Sequence, residues 1–388
     1  MARLCALLLA LCALIGGCSI GDDDETPPQI GIESDEEEAA AELGFPFIAT
    51  KNTTRVGGGD SAADVAGVAS AVWPATSDST RPAAVVIVDK DNWQGGIAAS
   101  VLAGSPVGAP ILLSDGDELP AISADTLERL DPAGSDLAKD AQVIRIGSRP
   151  PEPDDRKTTT IDGGDVYELA SEIDRFHAVA RGEPSDDVMI ASGERAEYAL
   201  PAAALAARSG DSVLFTKRGE LPEPTAEALK RHEKPDVFLV GPASVIGKQV
   251  RKKLQPLARR VRRIGGSTPV ENAIAFSKFE SRGFGWGAQV PGQNFTIAST
   301  SRPLDAVGAA SLAANGVFAP LLLTDDSDAL PSALENYLLD VQPGFEDDPS
   351  LSVFNHVWIL GDDETISVQQ QARIDEVTTL IPVSLNEP

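Results

Sequence analysis

A run of cationic side chains is the part of this sequence best suited to bind a charged ligand. Between positions 248 and 263 the chain has eight Lys and Arg residues and no acidic residue. Such a run makes a local positive field, although the whole chain has a net charge of −27. We expect it to bind a polyanion, with Lys217 and Arg218 adding to the same surface; the alternative is a solvated helix that balances acidic surroundings. The eight residues are Lys248, Arg251, Lys252, Lys253, Arg259, Arg260, Arg262 and Arg263.

Patterns for catalysis or metal binding are weak by comparison. His177, His232 and His356 are far apart, and none belongs to a metal-ligand or nucleophile motif. The acidic loops at 114–118 and 324–328 could hold calcium, but they lack the ligand spacing of a calcium-binding loop, and we interpret them as turn and capping residues. The sequence therefore predicts no enzyme, no cofactor and no metal site.

The N-terminus has the pattern of an export signal. Arg3 precedes an apolar core of 12 residues, Leu4 to Ile15, which is shorter than the ~20 residues that cross a membrane. The signal ends in "IGGC", which resembles the bacterial lipobox, so we predict a signal peptide at 1–17 and a lipid on Cys18. The alternative is an ordinary export signal with an incidental cysteine. Because Cys5 and Cys12 leave with the signal, the mature chain cannot form an internal disulfide.

An acidic stretch follows the signal. Residues 19–44 contain ten Asp and Glu residues and no Lys or Arg. A like-charged stretch of this kind does not collapse, so we predict that 18–44 is a disordered spacer. The remaining body is also acidic, which makes nucleic acid an unsuitable partner.

A repeated pattern organises the rest of the chain. A strand-like segment, a glycine turn and a helix-like segment occur at 53–73 and return at 158–176 and 262–280. Three Leu-Pro pairs mark the same point of each repeat, since Pro120, Pro222 and Pro331 lie 102 and 109 residues apart. We predict three modules at 45–155, 156–260 and 261–383.

Short apolar strands alternate with helices in each repeat, which is typical of a parallel sheet covered by helices. We predict an α/β fold of three tandem Rossmann-like modules, each with a small parallel sheet. The second helix of each repeat is rich in Ala, Gly, Leu and Val and should pack closely. The glycine turns lack the G-x-G-x-x-G spacing of a dinucleotide site, so we interpret them as tight structural turns rather than phosphate loops.

These elements together resemble the type 2 cell wall-binding repeat family. Its opening pattern of arginine, apolar residue, glycines and aspartate matches 55–60, and 263–266 and 161–165 match in part. Its third strand matches "ILLS" at 111–114 and "LLLT" at 321–324. Family members commonly have Arg-Tyr or Arg-Phe after the aspartate, whereas this chain has Ser61-Ala62, Val166-Tyr167 and Thr268-Pro269, so the arginine is missing from all three repeats. Over residues 50–383 the resemblance implies a pseudo-threefold arrangement of modules that hold anionic wall polymers non-covalently.

The expected protein is therefore a non-catalytic, extracytoplasmic tether. Its lipid on Cys18 would anchor it to the membrane, and its modules would bind an anionic cell wall polymer. The alternative from another class is a solute-binding lipoprotein of a transporter, which has two lobes and a hinge instead of three serial repeats.

Overall fold

A computed structural model describes residues 48–383. The predicted signal peptide, Cys18 and the acidic spacer lie outside the described residues. No helix within 48–383 is long and apolar enough to cross a membrane.

The first two modules alternate strands and helices as the sequence predicts. The elements of the first module are β1 (Ile48–Ala49), β2 (Thr53–Val56), α1 (Ser61–Val72), β3 (Val85–Asp89), α2 (Trp93–Ala99), β4 (Ile111–Ser114), α3 (Ala121–Leu130) and β5 (Val143–Ile146). Those of the second are β6 (Thr158–Ile161), α4 (Val166–Arg181), β7 (Asp187–Ser192), α5 (Ala196–Ala199), α6 (Pro201–Ser209), β8 (Val213–Thr216), α7 (Glu223–Arg231), β9 (Asp236–Val240) and α8 (Lys248–Leu254).

The third module follows the same order and adds a short hairpin after its first helix. Its elements are β10 (Arg260–Ile264), α9 (Pro269–Lys278), β11 (Glu280–Ser281), β12 (Phe284–Gly285), β13 (Asn294–Ser299), α10 (Asp305–Asn315), β14 (Leu321–Thr324), α11 (Ser332–Asp340), β15 (Gly344–Phe345), β16 (His356–Leu360), α12 (Val368–Thr378) and β17 (Ile381–Pro382).

Three parallel sheets share one strand order, which confirms the predicted fold class. The first sheet is β4-β3-β5-β6, and the second is β8-β7-β9-β10. The third is β14-β13-β16-β2, extended at its edge by the antiparallel strand β1. The modules are therefore related by a pseudo-threefold repetition of strands and helices.

In each sheet, the strand at one side is the opening strand of another repeat. β6 opens the second repeat but pairs with β5 of the first, and β10 pairs in the same way with β9. β2 opens the first repeat and pairs with β16, about 300 residues later. The predicted module boundaries therefore do not coincide with sheet boundaries. The opening strand of the first repeat joins the sheet of the third in the same way as β6 and β10 join the sheets of the repeats before them.

The small-residue helices pack against one another as well as against the sheets. α2 with its 3-10 continuation Ser100–Ala103, α6 and α10 meet where the three modules join. Gly104 permits this approach, because a Cβ atom at that position would lie 1.9 Å from the carbonyl oxygen of Ala207. One large hydrophobic cluster therefore runs through all three modules, with smaller separate clusters in the third and the first module.

The glycine turns are tight because two backbones approach closely. A Cβ atom on Gly57 would lie 2.7 Å from the backbone of Gly361, and one on Gly265 would lie 2.7 Å from that of Gly241. Neither glycine has the left-handed conformation that would exclude other residues for its φ angle. The space between two neighbouring strands, and not a backbone angle, requires glycine here.

Side chains at the end of each turn cap the helix that follows. Asp60 accepts a hydrogen bond from the Ala63 backbone N–H at 2.9 Å, and Asp165 and Thr268 cap α4 and α9 in the same way. An acceptor at this position satisfies a free N–H at the helix start. The aspartate of the opening motif is therefore a structural residue in this chain.

Candidate functional site

The predicted basic run is divided between a helix of the second module and the opening strand of the third, which forms the edge of the second sheet. Its first half forms α8, and its second half forms the edge strand β10. Only the first half is helical. The two halves differ in how much of their positive charge is already paired.

The cations of α8 are free to meet a ligand. Val250 and Leu254 are buried, so the opposite face of the helix is exposed. That face carries four cations, and none of them forms an ion pair with another residue in the range 48–383. Unpaired charge on one face gives the local positive field that the sequence predicts. The four are Lys248, Arg251, Lys252 and Lys253.

The loop with Lys217 and Arg218 lies beside the start of α8. The backbone N–H of Gly247, which precedes the helix, donates a 2.8 Å hydrogen bond to the Arg218 carbonyl. Lys217 forms a loose ion pair with Glu220 at 3.5 Å and lies over the ring of Tyr167. The structure therefore brings both predicted loop cations next to α8.

Arginines of β10 and its flank line a cavity at the amino ends of the second sheet. The cavity has a volume of about 430 Å³, and Phe238 forms part of its wall. Arg259 donates to Asp236 at 2.9 Å, and Arg260 lies 3.6 Å from the same carboxylate. Arg262 donates to the Ser281 hydroxyl of the third module's hairpin. Part of the positive charge here is thus neutralised.

Acidic side chains share this cavity and weaken its preference for anions. Asp186 and Asp187 also line it. Burial, together with Asp211, Asp236 and Asp186, raises the pKa of Asp187 to about 6. An anion entering the cavity would therefore meet charges of both signs, whereas one approaching α8 would meet cations alone.

Arg282 is a cation of this cavity that the sequence did not single out. It lies between β11 and β12, which place it beside Arg262 and Ser281. Phe284 of the hairpin stacks on Phe238 at 3.6 Å between ring centroids and holds the hairpin against the second sheet. The residue follows an acidic-aromatic segment of a different repeat, so no local pattern connects it to the basic run.

Arg263 has a structural role in addition to any contact with a ligand. Its guanidinium donates to the carbonyl oxygens of Gly241 at 2.6 Å and Ile246 at 2.7 Å. Burial, and next the nearby Arg251, lower its pKa. Its predicted part in polymer binding stays a prediction, and its guanidinium is already bonded to two backbone carbonyls.

A second cavity lies where the first and third modules meet. It has a volume of about 410 Å³ and lies at the carboxyl ends of strands, where α/β sheets commonly bind ligands. Trp93, Lys90 and Arg302 line it, together with the opening turn before α1. Its cations are paired, Lys90 with Asp115 and Arg302 with carboxylates of both modules. This surface suits a neutral sugar better than an anion.

The acidic loops act as turns. The Asp326 carboxylate accepts hydrogen bonds from the backbone N–H groups of Asp328 and Ala329 at 2.8 and 2.9 Å. Asp115 pairs with Lys90 instead of facing other carboxylates. Within residues 48–383, no group of three or more His, Cys, Asp or Glu side chains is placed to hold a metal ion.

Comparisons with known proteins identify a family. The model for cell wall binding domain 2 matches residues 160–251 and 263–370, which is just over half of the chain. The matched segments lie in the second and third modules. No curated protein matches the chain in sequence.

Two solved structures share the fold. Cwp8 from Clostridium difficile is 21% identical, with a TM-score of 0.63, over 85% of this chain and 52% of that chain. Cwp6 from Clostridium difficile is 20% identical, with a TM-score of 0.67, over 84% of this chain and 48% of that chain. The chain therefore spans about half the length of these two proteins. At this level of identity the likeness concerns the fold alone.

Proposed function

This chain belongs to the cell wall binding domain 2 family, and from that premise we propose that it is a non-catalytic tether between a membrane and an anionic cell wall polymer. The polymer would be held non-covalently by the basic surface of the second module. We define the basic surface as Lys217, Arg218, Lys248, Arg251, Lys252, Lys253, Arg259, Arg260 and Arg262. A lipid on Cys18 would supply the membrane end.

The observation that carries the proposal is the unpaired charge on α8. A protein of net charge −27 repels a polyanion at long range, so attachment must be local. At about 0.15 M salt the Debye length is about 8 Å, so distant acidic residues are screened while adjacent cations still act. The exposed face of α8 meets this requirement, because its four cations form no ion pair within the described chain.

Binding of purified mature protein to isolated cell walls tests this role. The test variant replaces the four cations of α8 by Glu, and we expect it to lose most wall binding. A matched variant makes the same change of net charge at exposed cations elsewhere and should bind like the unmodified protein. Equal loss in both variants would contradict a local site. The matched positions are Lys51, Lys139, Arg175 and Lys234.

The salt dependence of wall binding distinguishes attachment through charge from attachment through neutral sugar contacts. Raising the salt to about 0.5 M shortens the Debye length and should weaken wall binding of the unmodified protein. Binding that survives both the salt and the α8 changes would mean that another surface, such as the cavity with Trp93, holds neutral sugars.

The membrane end has its own test. Replacing Cys18→Ala should move the protein from the membrane fraction to the medium or the wall fraction. Unchanged membrane association of this variant would overturn the proposed lipid anchor while leaving wall binding untouched.

The alternative of a solute-binding lipoprotein gains no support. Such a protein needs two lobes that close over a solute about a hinge. The described residues instead form three similar sheets that share one large hydrophobic cluster.

A further inference from the structure

Two carboxyl groups are buried side by side where the first and third modules join. Asp64 lies in α1 of the first module, and Asp305 begins α10 of the third. Both side chains are fully buried. Buried carboxylates are normally paired with cations or protonated, because loss of hydration disfavours the charged form.

The hydrogen bonds of this pair leave one oxygen without a donor. Asp64 accepts from the Gly58 backbone N–H at 2.6 Å and from Arg302 at 3.3 Å. Asp305 Oδ1 accepts from the Ser61 hydroxyl at 2.6 Å. Asp305 Oδ2 is buried and has no hydrogen-bond partner within 48–383, although the Asp64 carboxyl lies within hydrogen-bonding reach of Asp305. One proton between the two carboxyls would satisfy it.

The charges that surround the pair are too few to neutralise it. Arg302, in the turn before α10, is the cation in contact with Asp64, and it also binds Asp362 at 2.7 Å. Arg55 on β2 is near, but its guanidinium donates to the carbonyls of Gly361, Asp362 and Ile366. Asp363 adds a further negative charge to this side. If both members of the pair were ionised, two arginines would face four carboxylates, which leaves an excess of negative charge.

The equivalent positions at the other two junctions contain no acid pair. The position that corresponds to Asp64, four residues after the helix cap, is Leu169 in α4 and Asn272 in α9. The position that corresponds to Asp305 is Gly95 in the first module and Tyr198 in the second. Asn272 donates to the Tyr198 carbonyl at 3.1 Å, a neutral contact. The acid pair thus lies at the junction between the first and the third module.

We propose that Asp64 and Asp305 share one proton that holds the first and third modules together, and that its loss at alkaline pH loosens this junction while the other two stay closed. The proposal concerns the folded body and does not depend on polymer binding.

The direction of the pH effect follows from proton linkage. Burial and the adjacent Asp305 raise the pKa of Asp64 to about 9, and burial raises that of Asp305 to about 6. The folded chain therefore holds a proton that the unfolded chain releases near pH 4. The stability of the junction is fully present below that pH and is lost as the pH rises through the pKa of the folded pair.

Hydrogen exchange of the purified protein between pH 5 and pH 10 tests the proposal. After correction for intrinsic exchange, protection of the amides in β2 and α1 should fall with pH, by up to about tenfold per pH unit. Amides of α4 and α9 report on the other junctions and should keep their protection. Equal loss in all three helices would overturn the proposal.

Substitution supplies the matched comparison. Asp64→Asn copies the residue of the third repeat and should remove the pH dependence of exchange in β2 and α1. Asp60→Asn retains a capping side chain one turn away and should leave that dependence as it is. An unchanged pH dependence in Asp64→Asn would contradict a shared proton.

A measurement on the unmodified protein covers the case in which Asp64→Asn does not fold. Carboxyl ¹³C shifts should show an aspartate pair that is still titrating above pH 6. The pKa of Asp187 is also raised, and the variant Asp187→Asn identifies its signal, so that it is not mistaken for the pair. If no aspartate other than Asp187 titrates above pH 6, the proposal is wrong.

Discussion

Arg55 is fully buried, and its guanidinium serves a turn of a different module. Its Nη1 and Nη2 atoms donate to the carbonyls of Gly361, Asp362 and Ile366 at 2.6 to 2.7 Å. Its Nε donates to the side chain of Gln371 at 3.0 Å. A charged donor with several acceptors satisfies carbonyl groups that have no access to water. This residue is therefore a clamp between β2 and the segment after β16.

Replacing Arg55→Met should destabilise the protein strongly. The substitution retains apolar volume but leaves several buried carbonyls without a donor, at a cost of about 3 kcal/mol or more in the free energy of unfolding. Urea denaturation measures the loss. Arg263→Met is the matched control, because Arg263 makes two such bonds from a half-buried position and its loss should cost less. Equal losses would contradict the clamp.

His232 is the histidine whose surroundings favour a positive charge. Its Nδ1 faces the Ser185 carbonyl at 2.7 Å, and its Nε2 faces the Asp174 carboxylate at 2.8 Å. Burial lowers its pKa, but the hydrogen bond to Asp174 and the charge of that group outweigh burial and raise it. Both ring nitrogens must donate to satisfy two acceptors, which requires the imidazolium form.

We expect His232 to be mostly charged at about pH 6.5, the ordinary pKa of histidine, and His177 to be mostly neutral. Burial lowers the pKa of His177, whose Nε2 has no partner among the described residues. Ring ¹⁵N shifts distinguish the two forms. Because the pKa of His232 is raised on folding, its contribution to stability is present below pH 6.5 and lost as the pH rises through the folded value. A neutral His232 at pH 6.5 would disprove this assignment.

The opening motif could be identified from the sequence, but the contacts that its side chains make could not. Its residues were recognisable as a motif, and the interpretation of its glycine turn as structural agrees with the close approach of Gly57 to Gly361. The partners of Arg55 lie more than 300 residues away, so no local pattern could identify them. The buried pair of Asp64 and Asp305 was not predicted for the same reason, since carboxylates are common throughout an acidic chain.

At the scale of elements, the close packing of α2, α6 and α10 depends on missing side chains. Gly104→Ala would place a Cβ atom 1.9 Å from the Ala207 carbonyl oxygen, so backbone must move. We expect a loss of about 2 to 3 kcal/mol in the free energy of unfolding, measured by thermal or urea denaturation. Gly59→Ala is the control, because no atom lies within 4 Å of its added Cβ. A loss below about 0.5 kcal/mol for Gly104→Ala would contradict the packing.

Strands and helices were largely predictable, and their pairing was not. The short apolar strands expected in each repeat are present, for example Val85–Asp89, Asp187–Ser192 and Asn294–Ser299. The exchange of opening strands was missed because β2, β6 and β10 would satisfy the same apolar pattern in either neighbouring sheet. The opening strand of the third repeat was predicted from residue 262 onward, and the structure begins it two residues earlier, at Arg260.

At the scale of the whole molecule, the exchange of strands links distant parts of the sequence. Deleting residues 48–57 removes the edge strand of the third sheet and the Arg55 clamp. We expect faster hydrogen exchange in β16 and α12, about 300 residues away, while β3 and β4 in the first sheet keep their protection. Deleting 1–47 alone retains β2 and should change neither region. Faster exchange confined to the first module would contradict the observed pairing.

The place of β2 in the third sheet also determines how the body would carry mechanical load. β2 is hydrogen-bonded on one side to β1 and on the other, in parallel, to β16. Tension applied to the chain ahead of residue 48 passes into β2 and from there into β16 before it reaches α1 and the sheet of the first module. A body attached through its N-terminal end is therefore strained first in its third module, the part of the sequence farthest from the point of attachment.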